Sequence, residues 1–303
     1  MANYDVSKIN ALLKEDAENY IELCEKAYCS QLQEISDEIA KENKRTIVML
    51  AGPSSSGKTT TARLLKEKLN EKGKTAIVVS LDDFYLELDE PNTFEDGTVD
   101  FETVNALDVP MISSCLHELF DKGETTVPRF CFKSKKRSCY EKITLEEDGV
   151  VIVEGLHALN PVITEPLSDR RLYKYYVSVS SRITDENEVL LTKRDIRFIR
   201  RLIRDYHHRN SEVEYTFYLW KGVRMGEDRY LFPYSYLADR KIDSTHPYEP
   251  ALFKGIATKL LDRVASDSVY YETANELKKK LDRFTSLERD MMPDGSLLGE
   301  FIG

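Results

Sequence analysis

The octapeptide Gly52-Pro53-Ser54-Ser55-Ser56-Gly57-Lys58-Thr59 fits G-x-x-x-x-G-K-[ST] and constrains the fold more than any other stretch of the chain. The apolar run Thr46-Ile47-Val48-Met49-Leu50-Ala51 precedes it, and Thr60 to Leu69, with leucines at helical spacing, follows it. The order is therefore strand, loop, helix. Such a loop turns successive backbone N–H groups towards one point, and glycine lets it turn tightly while an anion approaches. The helix behind adds unsatisfied N–H groups and the positive end of its dipole. The pattern predicts a triphosphate site. Gly52, Ser54, Ser55, Ser56, Gly57 and Thr60 would surround the phosphates, Lys58 would reach the β- and γ-phosphates, and the Thr59 hydroxyl would ligate Mg²⁺.

Composition narrows the partners. The chain has 303 residues, 41% of them hydrophobic, enough for one large domain or one domain with appendages. No apolar run approaches the ~20 residues of a membrane span, and the N-terminus lacks the basic-then-apolar pattern of a signal peptide. No membrane partner is expected, and the cytoplasm is the expected compartment. Five cysteines (Cys24, Cys29, Cys115, Cys131, Cys139) form no C-x-x-C pair and no metal-ligand spacing with histidine, so they read as free thiols in a reducing compartment. A net charge of −10 speaks against a nucleic-acid backbone as partner. An anion site then has to be assembled locally, from basic residues set in an acidic body. A homo-oligomer is compatible with this composition.

The remaining pattern predicts an α/β fold of the P-loop NTPase type: a parallel five-stranded sheet flanked by helices, with a small β-hairpin substrate element and an Arg-rich helical lid. The expected strands are 46–51, 76–81, 150–153, 172–179 and 238–243. Residues 1–44 read as an N-terminal extension of two or three amphipathic helices, 45–250 as the P-loop domain with its Arg-rich helical part at about 194–230, and 251–303 as helices and a tail packed on it. Asp82-Asp83-Phe84-Tyr85 stands where the second strand ends, at the ligand-binding edge of an open sheet, although a helix cap would explain one aspartate as well. Val127 to Leu145 interleaves aromatic and basic residues and reads as a hairpin, either lining a site or simply solvated. Glu154 closes another buried strand, where it can meet the Mg²⁺ at Thr59 directly or through water. Arg197, Arg200, Arg201 and Arg204 share one helical face, which polyphosphate opposite would explain; ion pairs with acids such as Asp195 and Asp205 are the alternative.

Taken together, Gly52 to Thr59, Ser80 to Tyr85, Phe101 to Asp108, Pro128 to Arg137, Val153-Glu154-Gly155, Arg197 to Asp205 and Phe232-Pro233 resemble the uridine kinase and phosphoribulokinase family of P-loop kinases, over about residues 46 to 250. The chain is more similar still to bacterial uridine kinase-like proteins. In these a helical stretch like residues 6 to 42 precedes the kinase part, domains similar to part of threonyl-tRNA synthetase lie further upstream, and the ending resembles Leu298 to Gly303.

The resemblance implies ATP or GTP as donor, Mg²⁺, and a nucleoside as small-molecule acceptor. It implies Asp82, rather than Asp83, as the base facing a ribose 5′-hydroxyl, with Lys58 and Arg200 as its catalytic companions. Tyr85, Phe130 and Phe132 would wall the nucleobase, Glu102 and Arg197 would hold the ribose hydroxyls, and Lys135 and Arg137 would complete the acceptor site. Arg200, Arg204 and Arg209 would belong to a lid over the ATP phosphates. Two positions depart from the pattern: Cys131 stands where uridine kinases usually carry aspartate, and Lys135 where they often carry histidine. Other acceptors (another nucleoside, a sugar phosphate, pantothenate, glycerate) therefore stand beside uridine and cytidine. A nucleotide-dependent switch without transfer is the reading from a different class.

Overall fold

Every residue from Thr46 to Ala51 is buried, and a run with no solvated edge can satisfy its backbone only between two other strands. That is its place in the computed structural model, which describes residues 3–87, 92–100, 102–131, 134 and 136–302. In chain order, β1 (Asn3–Asp5) and α1 (Val6–Ile39) lead into β2 (Thr46–Ala51), α2 (Lys58–Glu71) and β3 (Ala76–Ser80). Next come α3 (Val109–Lys122), β4 (Glu124–Cys131), β5 (Lys136–Thr144), β6 (Val150–Glu154), the short α4 (Pro161–Thr164) and β7 (Leu172–Ser178). The remainder is β8 (Arg182–Asp185), β9 (Glu188–Leu191), α5 (Lys193–Arg209), α6 (Val213–Tyr230), β10 (Arg240–Asp243), α7 (Glu249–Leu261), α8 (Tyr271–Leu281) and α9 (Gly299–Ile302).

The main sheet runs β3-β6-β2-β7-β10, all parallel, with β2 in the centre. Alternation along β2 sends Val48 and Leu50 into one core, with α1, α2, α5, α7 and the C-terminal segment. It sends Ile47, Met49 and Ala51 into the other, with α3 and α4. Because the strands are parallel, the loop after β2, the turn after β3 and the last residue of β6 emerge on one edge. That edge carries the site. The β4–β5 hairpin forms a separate antiparallel pair, with a register shift between Arg129 and Phe130.

The ends of the chain depart most from the sequence reading. The N-terminal segment is one helix broken at Asp16 (φ −158°, ψ 90°), whose side chain accepts from the Asn19 N–H and so restarts the helix as its cap. Asn3–Asp5 pairs with β8 in a second, three-stranded sheet that three residues could not announce. The expected tail is core: Leu297, Leu298 and Phe301 have no exposed surface. Removing each such side chain from water is worth about 1.5–3 kcal/mol, so this segment is held in place firmly.

Candidate active site

Two glycines shape the loop between β2 and α2. Gly57 has φ +86°, and a Cβ there would also lie 2.6 Å from Leu297 Cδ1; a Cβ on Gly52 would lie 2.2 Å from the Val177 carbonyl oxygen of β7. Neither position admits a side chain. The Ser55 and Ser56 hydroxyls are buried and have no hydrogen-bond partner among the described residues. The first-turn N–H groups of Lys58 and Thr59 have no intrahelical acceptor by construction. A cradle of orphaned donors at a helix N-terminus fits a chain of phosphates.

Beside the loop, Glu154 accepts hydrogen bonds on one oxygen from Thr59 Oγ1 (3.3 Å) and Ser80 Oγ (2.9 Å). Burial and then the nearby Asp82 carboxylate push Glu154 up to about 7, against Lys58 and the Ser80 hydrogen bond. Asp82 is the second residue of the 3₁₀ turn Leu81–Phe84, capped by Ser80, and its side chain is exposed to the cleft. The cleft walls still raise its carboxyl, while the charges of Lys58, Arg209 and Arg204 pull the other way. Since water reaches Asp82, that shift carries little stability. Glu102 is part-buried and rises to about 7 through burial, then through Glu227. Among the described residues no three His, Cys, Asp or Glu side chains form a metal cage. The oxygen donors of Thr59 and Glu154 fit Mg²⁺ all the same, because that ion takes few protein ligands and fills its shell with water and substrate phosphates.

The arginine face is more committed than its spacing suggested. Arg197 pairs with Glu227 at 2.6 Å, both buried, and Glu227 in turn accepts from the Ser54 N–H at 2.8 Å. Arg200 has no exposed surface: it bonds Glu249 at 2.6 and 2.9 Å and the Ser244 carbonyl at 2.7 Å, and its guanidinium lies 5.1 Å from the Phe301 ring. Its approach to the loop is from beneath, 3.4 Å from the Ser55 carbonyl oxygen. The expected phosphate-facing role of Arg200 and the ribose-holding role of Arg197 are thus not the positions these side chains occupy. Arg201 donates to Ser54 Oγ at 2.9 Å, while Arg201, Arg204 and Arg209 converge on Asp205. Burial, then Arg209, lowers Arg204 to about 10. Five guanidinium groups therefore share four acids, Glu227, Glu249, Asp205 and Glu300, and Arg204 and Arg209 are the two whose field reaches Asp82. The surplus positive charge suits an anion.

The hairpin closes the acceptor side. Asp83 accepts from Arg129 (2.6 Å) and the Phe130 N–H (3.1 Å), which anchors the strand and brings the Phe130 ring to 5.6 Å from that of Tyr85. Arg137 is tied to Asp108 at 2.9 Å. Phe132 and Lys135 lie outside the described residues.

The sequence model of the Phosphoribulokinase / Uridine kinase family matches residues 47–246. The chain belongs to that family. "Uridine-cytidine kinase B" of Dictyostelium discoideum is 27% identical over 194 residues, 64% of this chain and 72% of that one. "Uridine kinase" of Lactobacillus johnsonii is 30% identical over 174 residues, 57% of this chain and 74% of that one. A solved structure described as "a Possible Uridine Kinase" from Bacillus stearothermophilus covers 71% of this chain and 98% of that one, at 18% identity and a TM-score of 0.45.

Five residues of this phosphoribulokinase/uridine kinase family member escaped the sequence reading. Glu227 and Glu249 answer the arginines from helices 30 and 49 residues away, a pairing that no local pattern encodes. Ser80 was legible as the residue closing a strand beside the aspartates. His157 is buried and lowered to about 4, so it is neutral; its Nε2 donates to the Glu102 carbonyl at 2.8 Å. Glu300 accepts from Thr60 Oγ1 at 2.7 Å across 240 residues.

Proposed function

We propose that the chain transfers the γ-phosphoryl group of ATP to the 5′-hydroxyl of a pyrimidine nucleoside, uridine or cytidine. One observation carries the reading: a carboxylate open to the cleft, Asp82, stands within electrostatic reach of Lys58 and Glu154 at the mouth of the phosphate loop. The uridine and uridine-cytidine kinases among its relatives support that acceptor class. So does the Tyr85–Phe130 ring pair, which suits a flat base by stacking.

Phosphoryl transfer passes through a loose transition state, so the protein's work is positioning and charge neutralisation. An acid of ordinary pKa about 4 cannot strip a sugar hydroxyl in advance. Asp82 orients the hydroxyl and takes its proton on a carboxylate oxygen late, as the oxygen–phosphorus bond forms. Lys58 offsets the charge that builds between the β- and γ-phosphates, with Arg204 and Arg209 contributing to the same field. Thr59 and Glu154 would hold Mg²⁺, which would supply charge neutralisation at the phosphates. Glu102 accepts from the ribose hydroxyls. Cys24, Cys29, Cys115 and Cys139 form no disulfide, which suits the reducing cytoplasm, and no helix among the described residues is long and apolar enough to cross a membrane.

The test is ADP release with a panel of acceptors, on the wild type and on D82N. Release should rise sharply with uridine or cytidine, and D82N should lose it by at least about 10²-fold while binding ATP normally. Release that ignores both nucleosides and rises instead with pantothenate, glycerate or a sugar phosphate would overturn the acceptor. Near-normal turnover in D82N would remove Asp82 as base.

A further inference from the structure

The C-terminal segment reaches the phosphate loop with a negative charge. Glu300, the second residue of α9, places one carboxylate oxygen 2.7 Å from Thr60 Oγ1 and 3.4 Å from the Thr60 N–H. Thr60 is the third residue of α2, and its amide is one of the donors that the helix itself leaves unsatisfied. The other carboxylate oxygen lies 4.0 Å from Arg204. Neighbouring side chains fix this approach: Leu297 packs against Gly57, and Phe301 lies beneath Arg200. An anion of the chain's own thus sits on donors at the helix end that receives phosphates in loops of this kind.

We infer that Glu300 is a built-in competitor of the nucleotide: its carboxylate occupies the Thr60 donors until a phosphate displaces it. The inference rests on the proposed nucleotide site. Glu227 shows by contrast what a purely structural acid looks like here. It also accepts from the loop, at the Ser54 N–H, but it is wholly buried and locked to Arg197. Glu300 keeps 18% of its side chain exposed and has a cation, Arg204, within reach. Because Leu297, Leu298, Phe301 and Ile302 are buried, displacement is a swing of the Glu300 side chain onto Arg204 rather than release of the segment. The swing also moves negative charge next to Arg204, so the same step sets how much of that guanidinium's charge remains for the phosphates.

Binding of ATP, ADP and bare tripolyphosphate to the full chain tests this, by calorimetry on wild type, E300Q and E300A, with circular dichroism to check folding. Removing a charged hydrogen-bonded competitor is expected to tighten all three ligands by roughly tenfold in both variants. Tripolyphosphate isolates the effect from the base. Unchanged or weaker binding in the folded variants, with wild type binding normally, would overturn the competitor and leave Glu300 as a helix cap. If no folded form binds ATP or tripolyphosphate, the nucleotide site itself fails, and the inference with it. A crystal structure of the wild type with ADP needs no variant: Glu300 should have left Thr60 for Arg204, and a Glu300 still bonded to Thr60 beside the bound phosphates would refute the swing.

Discussion

Asp82 and Asp83 are adjacent in sequence and opposite in circumstance. Asp83 is consumed by Arg129 and the Phe130 amide, whereas Asp82 faces the cleft. The residues alone could not separate them, because what distinguishes them is a hairpin 46 residues further on. The phosphate loop, by contrast, was legible to the residue, since its glycines, lysine and threonine act through local backbone geometry. Glu102 makes a prediction at this scale. Burial raises its carboxyl to about 7, so the fold prefers the neutral acid. That stabilisation is complete below the ordinary value of 4.5 and is lost as pH rises through about 7. E102Q, a fixed neutral amide, should match wild type in stability near pH 4 and exceed it at pH 8, by about 1–3 kcal/mol. Melting curves that keep the same separation at both pH values would show that Glu102 titrates normally.

At the scale of the element, α5 shows what periodicity can and cannot tell. Its apolar face, Ile196, Ile199 and Ile203, is buried as the spacing required. The charged face was equally plain, but its partners were not. Asp205 answers three arginines locally, as the alternative reading of the stripe allowed, while Glu227 and Glu249 come from α6 and α7. The helix is therefore docked on the loop through a buried ion-pair network, with Arg201 and Glu227 both reaching Ser54. Breaking one arm of such a network strands a charge without water. E249Q should lower stability by about 3–5 kcal/mol by leaving Arg200 uncompensated, measurable by urea denaturation. A loss under 1 kcal/mol would mean that the Ser244 carbonyl and the Phe301 ring suffice for Arg200.

Across the whole molecule, the parallel five-stranded sheet flanked by helices was legible as buried strands alternating with helices, whereas the order of the strands in it was not. What it hid were the contacts that tie the ends into the middle, since these depend on tertiary packing and carry no periodic signature. Residues 296–302 looked like a tail because a short run of Leu, Gly and Phe has no helical or strand period to display. Phe301 has no exposed surface, so F301A should cost about 3–5 kcal/mol and depress the melting temperature; a variant as stable as wild type would show the segment to be dispensable.

The first and last described segments are tied to each other and to the core. Asn3–Asp5 is a strand beside β8, Asn10 exchanges hydrogen bonds with Arg283 and Thr285, and Glu25 of α1 accepts from both Tyr248 and Ser296. Opening either segment therefore breaks bonds of the other, so residues 3–25 and 248–296 belong to one cooperative unit although they lie at opposite ends of the numbering.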